Sequence, residues 1–333
     1  MLLLVRVFFL LPSAPSSAAS AIVCSTRKFG YAMPSYPAVL SSSGLLLGAI
    51  WKVSDKLSNG DRSDDRMGGS MAKVSVVTLD KTASAGLPDG LSGQVETTSY
   101  FAGPKDPLHL HGHRIAPGEV LRIGPRAVDC LVYVWAGAVD SAALPMPAGS
   151  SMVVEHGGTL SITGGEEGAR ILTFAAASLP EALREGGHVH LLPVDRVARI
   201  TDMIPGVNGG MHFDSACPTC ELWLHESEFT PAFLTPDNTN RGAHCHSEDE
   251  IIFITGGQAQ LGNKLFGPGT ALAIHADTMY TFNPGAEGLS FINFRAARPG
   301  YNRRENGSQS DEADGWARQL GGKRPAYIDI ELA

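Results

Sequence analysis

Three side chains able to bind a metal ion stand close together in this chain: His244, His246 and Glu250. On a β-strand, residues i and i+2 point to one face about 6.6 Å apart, so two imidazoles at that spacing can reach one ion. Glu250 keeps an even separation from His246 and joins them if the strand is regular or bends locally. Cys245, between the histidines, is turned to the other face by the same alternation. The donor set of imidazole plus carboxylate suits Fe(II), Mn(II), Ni(II) or Zn(II), with positions left open for substrate or oxygen. Downstream, Tyr280 stands two residues before Phe282 on an alternating stretch, which turns its ring toward the same interior. A phenol beside a divalent cation ionises well below its free pKa of about 10, so Tyr280 is a candidate weak ligand or acid/base.

The elements that must hold these groups repeat. Subtracting 120 from positions in the motif region maps Gly257, Gly269, Gly285 and Gly288 onto Gly137, Gly149, Gly165 and Gly168. Asp249 falls on Asp129, and the apolar run 251–254 on 131–134. A period this long signals duplicated domains and not a solenoid. Within each copy, short alternating strands separate Gly, Pro and Asn turns, which predicts an antiparallel jelly roll. Strands are expected at 131–135, 151–155, 159–163 and 171–174, and again at 250–255, 271–275, 279–283 and 291–295. Helices are expected only at 179–185 and 310–320, and a last edge strand at 327–332. The duplicate lacks the metal triad: His244, His246, Glu250 and Tyr280 become Gly124, Arg126, Cys130 and Leu160. The N-terminal copy is therefore expected to be a structural partner that covers the edges of the other.

The spacing His244-x-His246-x3-Glu250-x6-Gly257, followed by strand and turn, resembles the first motif of the cupin superfamily. With the duplication, the chain resembles a bicupin across roughly residues 90–296. That resemblance implies an all-β fold of two tandem double-stranded β-helix barrels. The second cupin motif should fall at 265–283. There the family usually carries Pro at the place of His275 and a metal-binding His at the place of Tyr280, so the chain departs from the pattern at both. The expected organisation is an N-terminal extension over 1–70, an N-terminal cupin lacking ligands over 71–180, a metal-binding cupin over 181–305 and a tail over 306–333.

Composition narrows the function. The chain has 333 residues, a formal charge of −8 and only 18% charged residues, with no basic run. Phosphate contacts need Lys and Arg, so nucleic acid is excluded as a partner class. No segment reaches the run of about 20 apolar residues that a transmembrane helix needs. The five cysteines do not form a dense disulfide framework, which places the chain in the cytoplasm. Residues 1–20, apolar and then Ser/Ala-rich, leave export by a signal peptide as the alternative, and an upstream start codon preceding Met67 or Met71 as another.

Two further motifs carry alternatives. His109, His111 and His113 alternate on one strand. They read either as a polar strand face or as a second metal or substrate site. Cys217-Pro-Thr-Cys220 has C-x-x-C spacing but precedes a strand, which argues against a thioredoxin-type motif. It reads as two reduced thiols at a turn, or as half of a zinc site needing two more ligands, with His212 or His225 to help. His225 is also a candidate for the barrel interior.

The functional expectation is a mononuclear metal-dependent enzyme acting on a small organic acid or phenolic compound. An Fe(II) dioxygenase is the leading form, and a possible homodimer the expected assembly. A lyase or isomerase using Tyr280 as base, and a ligand-binding or sensor cupin without turnover, are the alternatives.

Overall fold

The structure is a computed structural model that describes residues 73–179, 184–235, 242–304 and 307–330. The N-terminal extension at 1–70 and most of the helix expected over 179–185 lie outside the described residues.

The duplication appears in the strands themselves. Cys130–Ser141 and Ser151–Val154 of the first copy recur as Glu250–Leu261 and Ala271–Ile274, at an offset of 120 residues. The long closing strands Leu160–Ala176 and Asn283–Arg295 correspond in the same way. Each copy builds one large antiparallel sheet, eleven-stranded in the first and eight-stranded in the second. These are the two double-stranded β-helix barrels expected from the sequence.

The aligned glycines explain how both sheets bend alike. Gly137 and Gly257 have φ of +72° and +62°, and a Cβ on either would lie 2.2 or 2.3 Å from the carbonyl oxygen of Gly168 or Gly288. Both positions interrupt the ladder register, the behaviour of a bulge that re-aims a strand. Asp129 and Asp249 also act alike. Asp129 Oδ1 accepts the backbone N–H of His156, and Asp249 Oδ1 that of Ala276, which closes the same turn in each copy.

Alternation along the strands sorts the core into layers. In the first copy, Cys130, Val132 and Val134 point into the barrel with Ile115, Leu121, Met146 and Met152. Their neighbours Leu131 and Tyr133 point out, toward the other barrel. In the second copy Ile252 and Ile254 point inward, while Ile251 and Phe253 join the seam. Phe174 and Phe294, one from each copy, meet across that seam with ring centroids 5.0 Å apart.

Sheet membership crosses the sequence boundary at 180/181. Val74–Val77 pairs with Ala271–Ile274 of the second sheet, and Val189–Leu192 pairs with Ser151–Val154 of the first. The copies thus exchange their leading strands. The tail strand Ile328–Ile330 adds to Val189–Leu192 at the edge of the first sheet. Among the described residues there is one α-helix, Glu312–Gln319, started by Asp311, whose side chain accepts the N–H of Asp314. Ala313, Trp316 and Leu320 seat it against Ala198, Met211 and Trp223.

Candidate active site

The second barrel encloses a cavity of about 250 Å³. His244, His246, Tyr280, Asn293 and Arg295 line it together with apolar Ile252, Phe229, Phe282 and Phe291. His244 opens the short strand His244–Cys245 and is tied to Tyr280 by reciprocal backbone bonds of 3.0 and 2.9 Å. Its ring lies 5.0 Å from that of His246 and 4.7 Å from that of Tyr280, centroid to centroid. Glu250 begins the next strand, almost fully buried, with Oε2 3.9 Å from Nε2 of His246. The two histidines, the glutamate and the tyrosine expected to act together therefore stand together. Cys245 is buried beside them.

Three groups not anticipated from the sequence, and one that was, complete the cluster. Asn293 Nδ2 and Arg295 Nη2 donate to Glu250 Oε2 at 2.7 and 2.9 Å. Arg295 Nη1 donates to Glu312 Oε2 at 2.8 Å, and the same oxygen lies 2.8 Å from His246 Nδ1. Glu312 comes from the C-terminal helix, which closes one wall. His225, already a candidate for the interior, lines the cavity and accepts a bond from Trp223 Nε1 at 2.9 Å. One signal for two of these was available: Asn293 and Arg295 are polar residues at i and i+2 in an otherwise apolar strand. Nothing in the sequence marks Glu312, because its approach depends on where the tail folds.

The electrostatics follow from burial and from these contacts. Burial pushes His244 down to about 4 and His225 down to about 3, so both are neutral imidazoles at neutral pH. Burial opposes ionisation of Glu250, but His246, Arg295 and Asn293 outweigh it and hold the carboxyl below its usual range. Burial together with the adjacent Glu250 pushes the Tyr280 hydroxyl well above its ordinary range, so it donates a bond to Glu250. In this environment Tyr280 is a proton donor, whereas the expected role as base requires it ionised.

The donors fit a divalent ion in kind. Two imidazoles and an ionised carboxylate stand together at one end of the cavity, the donor types that transition metals of this class use. Asn293 Oδ1 and Arg295 Nε are buried without a protein partner, polar atoms that water or a bound molecule would satisfy. The spacing is more open than a closed site. Among the described residues, the cluster of His, Cys, Asp or Glu donors lying within 4.8 Å of one another is a different one, Glu155, His190, Cys217 and Cys220.

The other motifs resolve as follows. His113, almost fully buried, lies with Nδ1 3.0 Å from Thr97 Oγ1 and Nε2 2.9 Å from Thr173 Oγ1. Both its nitrogens are taken, and burial pushes it down to about 3. His111 is pushed down to about 4 by burial. The histidines form a row inside the first barrel, His109 edge-on to His111 and His111 stacked on His113. By strand pairing, His111 is the counterpart of His225: the first lies opposite Thr173, the second opposite Asn293.

The sequence matches no family model and no curated protein. Solved structures do share its architecture. Protein YlbA from E. coli superposes with a TM-score of 0.53 at 13% identity, covering 70% of this chain and 95% of its own. Oxalate decarboxylase of Lactobacillus farciminis, as its formate complex, gives 0.51 at 12% identity over 80% and 90%. A variant of the Bacillus subtilis oxalate decarboxylase gives 0.51 at 13% identity over 72% and 81%.

The fold is a bicupin. At these identities the likeness establishes the architecture alone, and the chemistry of this chain must be read from its own residues. Among the described residues, no helix is long and apolar enough to cross a membrane.

Proposed function

We propose that the cavity of the second barrel is the active site of a metal-dependent enzyme acting on a small organic acid or phenolic compound. The leading form is an Fe(II) dioxygenase, with Mn(II), Ni(II) or Zn(II) as the other metals its donors suit. The observation that carries this reading is the grouping of His244, His246 and Tyr280 around one cavity, with Glu250 buried against His246, where the duplicate barrel has other residues at all four positions.

His244, His246 and Glu250 would hold the ion, which supplies Lewis acidity and open positions for substrate and O₂. The chain's own groups do the rest. Arg295 and Asn293 fix the rotamer of Glu250 and keep it ionised. Arg304, at the rim, favours an anionic substrate and attracts its carboxylate from solution. Phe229, Phe282 and Phe291 exclude water and give the ring or chain of the substrate an apolar wall. The hydroxyl of Tyr280 can deliver a proton at a developing oxyanion, as a lyase or isomerase would also need.

A second reading has its own support. Arg295 bridges the carboxylates of Glu250 and Glu312, so the site already contains a cation. A resident cation there disfavours a second one and supports a ligand-binding pocket without turnover.

The test is metal analysis of the purified full chain, followed by an oxygen-electrode screen over small carboxylic acids and phenols. Oxygen uptake with loss of substrate supports the dioxygenase. Loss of substrate without uptake moves the reading to a lyase or isomerase. Saturable binding without turnover, in a protein whose metal content ignores His244→Ala, establishes the second reading.

A further inference from the structure

The strand exchange brings together four donors that the sequence scatters. Glu155 follows Ser151–Val154 in the first sheet, and His190 lies on the exchanged strand Val189–Leu192. Cys217 and Cys220 lie in the loop between Val207–Asp214 and Trp223–Phe229 of the second. One ligand atom from each of the four lies within 4.8 Å of all the others. His212 and His225, the histidines expected to help the cysteines, are engaged elsewhere: His212 Nδ1 sits 2.9 Å from Ser151 Oγ, and His225 lines the cavity.

We propose that Glu155, His190, Cys217 and Cys220 form a structural zinc site that pins the two barrels together. The donor types are right, because thiolate, imidazole and carboxylate in a set of four match the closed tetrahedral sites of Zn²⁺. The distances are right as well. Bonds of about 2.0–2.3 Å in a tetrahedron put donors roughly 3.3–3.8 Å apart. Cys217 Sγ is 3.5 Å from His190 Nε2 and 3.7 Å from Glu155 Oε1. His190 Nε2 and Glu155 Oε1, at 2.8 Å, need to part by about half an ångström to admit the ion, given those bond lengths.

The surroundings are those of a ligand shell. His190 Nδ1 lies 2.6 Å from Asp329 Oδ1, the carboxylate–histidine arrangement that leaves Nε2 free for a metal. Thr219 Oγ1 donates to Glu155 Oε1 at 2.6 Å. Arg184 Nη1 donates to the carbonyls of Cys217 and Cys220, holding the loop in shape. Glu155 is completely buried, and among the described residues its one ion-pair partner is His190. A buried carboxylate beside two thiols calls for a cation. Binding would need the two sulfurs and His190 Nε2 unprotonated, with whatever protons they carry released to solvent and no change of oxidation state.

The site stands independently of the cavity reading, and cobalt separates the two. The full chain, stripped and reloaded with Co²⁺, is expected to show a thiolate-to-cobalt charge-transfer band in the near ultraviolet. The band should survive in the His244→Ala/His246→Ala double variant and in Cys245→Ser. It should vanish in Cys217→Ser/Cys220→Ser. In wild-type protein carrying zinc, Cys217 and Cys220 should resist a thiol reagent until a chelator is added. If the cysteine variant fails to fold, the wild-type spectrum and chelator-dependent thiol protection still decide. Absence of the band, immediate reaction of both thiols in zinc-loaded protein, or a Cys217–Cys220 disulfide in freshly purified protein would each overturn the assignment.

Discussion

The two barrels share a backbone and differ in what they enclose. At positions related by 120 residues, the first has Cys130, Leu160, Thr173 and Ala175 where the second has Glu250, Tyr280, Asn293 and Arg295. The first interior is packed with Leu, Ile, Val and Met. Of its row of histidines, the most deeply buried, His113, is closed off by two threonines. The second keeps a cavity walled partly by charge. The scaffold therefore lies in the turns and the seam, which the copies hold in common, and the chemistry lies in a few inward positions that they do not.

The largest effect separating the barrels should come from Arg295→Met. It leaves Glu250 and Glu312 buried without their shared cation. Removing one partner of a buried ion pair costs about 3–5 kcal/mol, so the urea midpoint should drop accordingly. A change under about 1 kcal/mol would mean that the cluster is well hydrated and the contrast between interiors overstated, since hydrated pairs are worth about that little.

The shared scaffold makes the opposite kind of prediction. Gly137→Ala and Gly257→Ala each force a Cβ toward a carbonyl oxygen at positive φ. Each should cost about 1–3 kcal/mol, the scale of strain at such positions, and the two costs should agree within about 1 kcal/mol. Thermal melts of both variants check this. A large cost in one copy alone would show that the repeat is not mechanically equivalent.

The acid limb of stability should carry contributions from both barrels. His113 and His225 are each pushed down by burial to about 3, against about 6.5 in the unfolded chain. Above pH 6.5 neither state binds the proton, so the folded state loses nothing. As pH falls from 6.5 toward 3, the unfolded chain takes up protons that the folded chain refuses, and stability falls. Glu250 adds to the loss as pH drops below its unfolded value, because its folded carboxyl is held low. In His113→Gln, the slope of the urea midpoint against pH should flatten between 6.5 and 3. An unchanged slope would remove His113 from the account.

A stability effect of the same order as the glycine changes is expected from Tyr280→Phe, which removes one hydroxyl bonded to Glu250. Loss of a hydrogen bond to a charged group is worth about 1.5–3 kcal/mol. Its effect on turnover should be larger, about a hundredfold, if the hydroxyl delivers a proton. A kcat unchanged in this variant would assign Tyr280 to packing and to the orientation of Glu250.

Much of this comparison could be read from the sequence, for identifiable reasons. Gly137 and Gly257 are visible because few residues other than glycine tolerate their φ. The layers are visible because Leu131-Val132-Tyr133-Val134 and Ile251-Ile252-Phe253-Ile254 alternate between barrel and seam. His244, His246, Glu250 and Tyr280 are legible because the first three lie within one short stretch and the fourth in a stretch whose alternation points it inward, although the structure gives Tyr280 an isolated bridge to His244 and not the strand expected at 279–283. What stayed hidden depends on contacts between distant segments. The exchange of Val74–Val77 and Val189–Leu192 conserves each sheet's alternation, so no local pattern reports it. It is this exchange that sets His190 beside Glu155 and Cys217. Glu312 enters the second interior from a tail helix whose own pattern says only that one face is buried.

The central claim is that the polar interior of the second barrel holds a metal ion and the apolar interior of the first does not. Metal content per folded chain, measured for wild type, His244→Ala, Glu250→Ala and Cys130→Ala, tests it most directly. The His244 and Glu250 variants should each lose one equivalent relative to wild type, and the Cys130 variant none. Identical metal content in all four proteins would contradict the claim.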